Sequence, residues 1–186
     1  MTTTPDRPDW DDYLMGIALA VRARASCTGN RVGAIVAIDN RVVTAGYNGT
    51  PFNTANCVDG GCDRCANREK YPSGQAYDLC ICVHAEQNAL LQAARFGIAV
   101  EGGIIYTTLR PCFGCTKEII QAGISGIRYL HEWRHPDDDV WAQYEKLQAR
   151  FPVGAKQTHT PDINAEWATS SKREATTTGH DQQPTR

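Results

Sequence analysis

Apolar side chains recur at Trp10, Tyr13, Leu14, Ile17, Ala18 and Val21, and these steps of three and four residues lay one stripe along a helix. Asp9 and Asp12 are placed to accept hydrogen bonds from its first free amides. The pattern fades between Arg24 and Gly29, and the period then shortens. Residues 32–39 and 41–48 are β-rich runs separated by Asn40, which predicts a hairpin turning at Asp39-Asn40. Residues 46–51 close that unit in a loop.

Residues 53–82 have little periodicity but carry Cys57, Cys62, Cys65, Cys80 and Cys82. A loop of that length inside a compact domain needs a cross-link, because unsupported loops are entropically costly. Regular pattern returns after His84, where Ala85, Ala89, Leu90, Ala93 and Ala94 keep helical spacing up to a stop at Gly97. Residues 103–109 read as a strand, 112–122 as a helix with Ile119 and Ile120 on its apolar side, and 126–132 as a further strand. Trp141, Tyr144, Leu147 and Phe151 mark a last amphipathic helix. The order of elements predicts an α/β fold, a mixed sheet covered by helices. We place one domain over residues 9–154 and a polar tail over 155–186, disordered after about Ser170 because its apolar content is thin.

The 186 residues suffice for one domain, and 41% hydrophobic with 22% charged residues is the balance of a globular chain. A formal net charge of −2 offers no basic field for polymeric nucleic acid, so a free nucleotide is the expected partner. The first residues have neither a basic start nor an apolar segment, and no later run is long enough to span a membrane, so the expected location is the cytoplasm without membrane attachment. In that reducing compartment the eight cysteines, spaced in pairs near a histidine, read as metal ligands and not as disulfides.

The chemistry concentrates in His84-Ala85-Glu86 and Pro111-Cys112-Phe113-Gly114-Cys115. Zinc accepts imidazole nitrogen and thiolate sulfur together, and three protein ligands leave the fourth tetrahedral position for water. His84, Cys112 and Cys115 are the expected ligands. Glu86 is the expected proton carrier, since a fourth protein ligand would close the site. The H-x-E and P-C-x-x-C pair is the known signature of zinc base deaminases, which add water to C4 of cytosine or C6 of adenine and expel ammonia. Spacing alone makes Ala85 (through its amide) and Phe113 candidates to contact the base. Strand alternation sends one of Thr107 and Thr108 toward the pocket and the other toward the core. Arg31 and Arg110 are candidates to meet a phosphate, with a surface salt bridge as the alternative for Arg110. A non-catalytic zinc-binding module is the alternative of another class.

Through CTGNRVGAIV (27–36), GYNGTP (46–51), CVHAEQNALLQAA (82–94) and TTLRPCFGCTKEIIQAGI (107–124), the chain resembles deoxycytidylate (dCMP) deaminases of the cytidine deaminase superfamily over about residues 9–132. The resemblance implies a three-layer fold with a central mixed five-stranded sheet, and zinc-dependent conversion of dCMP to dUMP and ammonia for thymidylate synthesis. It also implies a homo-oligomer, a hexamer ahead of a dimer, with dCTP and dTTP as effectors and Mg²⁺ accompanying an effector. Asn48 is implied as a sugar contact and Thr50 as a neighbour of the 5′-phosphate. Cytidine, deoxycytidine or a modified cytosine nucleotide is the alternative substrate.

Six cysteines remain beyond the catalytic pair: Cys27, Cys57, Cys62, Cys65, Cys80 and Cys82. We expect a second, structural zinc among them. Spacing favours the local arms Cys62/Cys65 and Cys80/Cys82, whereas the resemblance brings in Cys27 and Cys57. The set narrowly preferred is Cys27, Cys57, Cys62 and Cys80, with Cys65 and Cys82 as alternates.

Overall fold

A computed structural model describes residues 7–71 and 77–168. Helix α1 (Trp10–Arg22) starts at Asp9, whose side chain accepts the amide of Asp12 at 2.8 Å, an N-cap that satisfies one of the first free donors. Strands β1 (Gly33–Ile38) and β2 (Arg41–Tyr47) form the expected hairpin, with Asp39 at φ 49° and Asn40 at φ 60°. Two successive left-handed residues make the tight turn whose twist matches its strands, and Asp and Asn tolerate that conformation.

The cysteine-rich stretch is built from short turns around the single-turn helix α2 (Asp63–Ala66). Then follow α3 (Ala85–Phe96), β3 (Ile104–Leu109), α4 (Phe113–Gln121), β4 (Gly126–His131), α5 (Asp138–Gln148) and β5 (Ala155–Gln157). The sheet runs β2-β1-β3-β4-β5, antiparallel on the hairpin side and parallel from β3 to β5. It is the mixed five-stranded sheet flanked by helices that the sequence implies.

Strand alternation divides the core into two layers. Leu14, Met15 and Ala18 of α1 pack on Ile35, Ala37, Tyr106 and Leu130. On the opposite face Val36, Ile105, Ile127 and Tyr129 meet Ala85, Ile119 and Phe151. Burying a Leu or Met as fully as Leu14 and Met15 are buried contributes about 1.5–3 kcal/mol each.

The fifth strand comes from residues that the sequence reading assigns to the tail. Its hold continues past β5. Asp162 receives two hydrogen bonds from Arg22, at 2.7 and 2.6 Å, and lies 2.7 Å from His131 Nε2, while Trp167 sits beneath the guanidinium groups of both Arg22 and Arg31. Residues 155–168 are therefore fastened to α1 and β4, and the expected disorder after Ser170 falls outside the described residues. No helix among the described residues is long and apolar enough to cross a membrane.

Candidate active site

Two helix starts meet at the C-terminal end of β3. His84 is the N-cap of α3 and Cys112 the N-cap of α4, with Cys115 one turn further on. At such ends backbone amides lack helical partners and the dipole favours negative charge, so thiolate sulfur suits the place. Gln87 ties the start of α3 to the body of α4. Its Oε1 accepts the His84 amide at 3.0 Å, and its Nε2 donates to Glu118 Oε1 of α4 at 3.0 Å.

His84 Nδ1 lies 3.4 Å from Cys112 Sγ and 3.3 Å from Cys115 Sγ. A tetrahedral zinc with ordinary bond lengths separates nitrogen from sulfur by roughly 3.5 Å, so the three atoms already have the spacing of a ligand set. His84 is exposed, Cys112 half-buried and Cys115 buried, which leaves the site open on the histidine side. Without metal the three groups share protons. The hydrogen bond from Cys115, aided by His84, lowers Cys112 to about 4, the hydrogen bond to Cys112 raises His84 to about 9, and Cys115 is pushed up by its contact with Cys112 and by burial. A metal that displaces those protons removes the competition.

Glu86 is 4% exposed, on the first turn of α3. Burial raises its carboxyl to about 7 against the opposing pull of His84. Thr107 Oγ1 donates to Glu86 Oε1 at 3.3 Å and also lies 3.0 Å from the Leu109 carbonyl. Thr107 is thus the site-facing threonine of β3, whereas Thr108 accepts the Gly33 amide at 3.1 Å on the other face. Alternation alone left that choice open.

Helix α3 comes this close because β2 has no side chain at Gly46. A Cβ there would stand 2.3 Å from both the Ala85 carbonyl oxygen and the Ala89 nitrogen. Thr44, two residues earlier on the same face, donates to the Ala89 carbonyl at 2.8 Å. These two residues seat the helix that carries Glu86. Gly46, expected to open the 46–51 loop, instead lies inside β2, and a glycine inside a strand signals a close backbone approach.

Asn48 is buried with both ends of its amide occupied. Its Oδ1 accepts the Val32 amide and its Nδ2 donates to the Asn30 carbonyl, each at 2.8 Å. Gly49 exchanges backbone hydrogen bonds with Val83, 3.2 and 2.8 Å, which sets the half-buried Thr50 and its loop beside the approach to His84. Ala85 is fully buried, and Phe113 is half-buried with its ring 6.5 Å from that of Tyr144. Arg110 is engaged by Glu132 at 3.0 Å and Gln148 at 3.0 Å, over the rings of Tyr129, Trp141 and Tyr144. Arg31 lies over Trp167.

The other six cysteines form one cluster, five of them buried and Cys80 half-buried against it. Its sulfurs converge as Cys27, Cys57, Cys65 and Cys82 and as Cys62, Cys65, Cys80 and Cys82. The preferred set of Cys27, Cys57, Cys62 and Cys80 does not converge as one quartet, because its members divide two and two between these groups. The purely local set does converge.

Comparison with known proteins agrees with this geometry. Residues 8–131 match the model of the cytidine and deoxycytidylate deaminase zinc-binding region. Deoxycytidylate deaminases of Saccharomyces cerevisiae and Schizosaccharomyces pombe are 37% identical over 132 residues and 42% identical over 123 residues, covering 71% and 66% of this chain. The chain spans only 41% and 37% of those two proteins. The dCMP deaminase of cyanophage S-TIM5, crystallised with dCMP and dUMP, superposes with a TM-score of 0.60 at 28% identity, over 82% of this chain and 99% of the phage chain. With its ligand triad, buried glutamate and sheet all in place, this chain belongs to the zinc-binding cytidine and deoxycytidylate deaminase family.

Proposed function

We propose that the protein hydrolyses dCMP to dUMP and ammonia in the cytoplasm, supplying dUMP for thymidylate synthesis. The observation that carries this reading is the convergence of His84, Cys112 and Cys115 beside a buried Glu86 held by Thr107. A purely structural zinc site has no use for that carboxyl, and burying one without function costs stability.

His84, Cys112 and Cys115 would hold the zinc, which when bound acidifies a water and leaves one position open for it. Glu86 takes the proton from the attacking water and delivers it to N3 of the cytosine ring as oxygen bonds to C4. It then takes the remaining proton from the new C4 hydroxyl and passes it to the exocyclic amine, the C4–N bond breaks, and ammonia leaves while the ring becomes uracil. A carboxyl raised toward neutrality by burial suits both directions of transfer. Thr107 keeps one carboxylate oxygen oriented.

The Ala85 amide and Phe113 border the ring in this reading, and the Thr50 loop, tied to Val83, faces the sugar-phosphate end. Asn48 contacts the sugar in this reading, its amide fixed by the Val32 amide and the Asn30 carbonyl, which take one acceptor lone pair and one of its two N–H donors. The remaining cysteine cluster holds structural metal. The family resemblance supports a homo-oligomer, hexameric in preference to dimeric, with dCTP and dTTP as effectors and Mg²⁺ beside them.

The test is a kinetic panel of dCMP, deoxycytidine and dCTP followed by ammonia release. The highest kcat/KM is expected for dCMP. A higher value for deoxycytidine would replace the nucleotide with the free nucleoside as substrate.

A further inference from the structure

The two sulfur quartets share Cys65 and Cys82. Of the six sulfurs, Cys27 and Cys57 belong to one quartet alone, and Cys62 and Cys80 to the other. Four-coordinate zinc with bonds of about 2.3 Å separates its sulfurs by ~3.8 Å. Cys62 and Cys80 are 3.9 Å apart, and every quartet member lies within 4.8 Å of its three fellows. Each quartet is thus compact enough to close on one zinc ion.

One ion cannot use this arrangement fully. Placed in either quartet it leaves two thiols of the other within 4.8 Å of the shared Cys65 and Cys82 sulfurs but without a metal. A thiolate has lone pairs for two metals, so Cys65 and Cys82 can each bridge. We propose that the cluster is binuclear: two zinc ions, each bound by four sulfurs, joined through the thiolates of Cys65 and Cys82. This rests on the reading of the cluster as a metal site and extends it from one structural ion to two, or three zincs per chain with the catalytic one.

The surroundings fit a cluster of thiolates. Six thiolates against two divalent ions leave a net charge of about −2. The Thr28 amide donates to Cys57 Sγ at 3.4 Å, the kind of outer hydrogen bond that orients a metal ligand. Arg68 donates to the Thr28 carbonyl at 2.9 Å, and its guanidinium and Cys27 Sγ both lie within 3.5 Å of the position a Gly29 Cβ would take. Arg64 is buried on the same helical turn as Cys65. All six sulfurs are free of disulfide bonds.

The bridges also have a mechanical consequence. Cys82 lies two residues before His84, and Val83 between them pairs with Gly49. A sulfur held by two ions therefore anchors both the approach to the catalytic histidine and the Thr50 loop. Cys27, in the loop that follows α1, ties that loop to the same point.

Zinc content of the reduced, zinc-equilibrated and desalted protein tests this, together with zinc X-ray absorption of Cys112→Ser, in which the catalytic ion is absent and only the cluster is seen. Three zincs in the wild type and two in Cys112→Ser are expected, with an all-sulfur shell and a Zn–Zn scattering path. Replacing Cys27 and Cys57 with Ser should remove one ion, replacing Cys62 and Cys80 should remove one, and replacing Cys65 and Cys82 should remove two. One residual zinc in Cys112→Ser without a Zn–Zn path would overturn the binuclear cluster, as would a terminal pair whose replacement changes nothing. Disulfides in the freshly isolated protein would also overturn it. Equal zinc in wild type and Cys112→Ser would instead count against the catalytic assignment, and the Zn–Zn path would still decide the cluster.

Discussion

Gly46 faces the carbonyl oxygen of Ala85 so closely that even a methyl group would stand 2.3 Å from it. The obstacle is helix backbone and cannot rotate away. Gly46→Ala should therefore displace the start of α3 and cost about 1–3 kcal/mol, the range of core overpacking. Thermal unfolding measures the loss, and dCMP turnover should fall with it because Glu86 rides on that helix. A variant with unchanged melting temperature and activity would mean that α3 does not depend on this contact.

Cys112→Ser should lose both the catalytic zinc and activity, since a neutral hydroxyl is a much weaker ligand than thiolate. Metal analysis alongside turnover separates this from a fault in proton transfer. Retention of the wild-type zinc content would remove Cys112 from the ligand set.

The site was more legible than the frame that carries it. His84, Cys112 and Cys115 stand out because metal ligation dictates residue type and spacing together, Glu86 because the H-x-E signature sets a non-ligating carboxyl beside them, and the Asp39-Asn40 turn because its backbone demands residues that tolerate positive φ. The fifth strand was not visible from pattern. Ala155–Gln157 is three residues long with a half-exposed, polar composition, too short for alternation to register. Asp162 and Trp167 act through partners more than a hundred residues away, Arg22 and Arg31. The available signal was a large aromatic in an otherwise polar tail. The preferred cysteine quartet diverged from the observed convergence because Cys65 and Cys82 stand in both groups, a sharing that linear spacing does not express.

The Arg22–Asp162–His131 contact makes stability sensitive to acid. Burial opposes the Asp162 charge, but the hydrogen bonds from Arg22 and His131 outweigh it and hold the carboxyl well below the usual carboxylate range. A folded-state value below the unfolded one means that the contribution is complete above the unfolded value, near 4, and is lost as pH falls toward the folded one. Asp162→Asn should destabilise the protein near neutrality by about 3–5 kcal/mol, because Arg22 is left buried without its counter-ion. Its stability should also fall less steeply on acidification than that of the wild type. Denaturant midpoints measured from neutral to acidic pH check both, and parallel curves would contradict the assignment.

Thr107→Val keeps the shape of a buried side chain while removing the hydroxyl that reaches Glu86. Turnover of dCMP should fall by about tenfold, the equivalent of roughly 1.4 kcal/mol and of one hydrogen bond to a charged group, with zinc content unchanged. Unaltered kcat would show that the carboxylate is oriented without Thr107.

The most direct test of the mechanism is Glu86→Gln, with zinc content and dCMP turnover measured on the same sample. The glutamine keeps the size of the side chain and leaves His84, Cys112 and Cys115 intact, so the zinc content should equal that of the wild type. Ammonia release from dCMP should fall by at least about a hundredfold, because the group that moves the protons is gone. Turnover near the wild-type value with zinc in place would contradict the account.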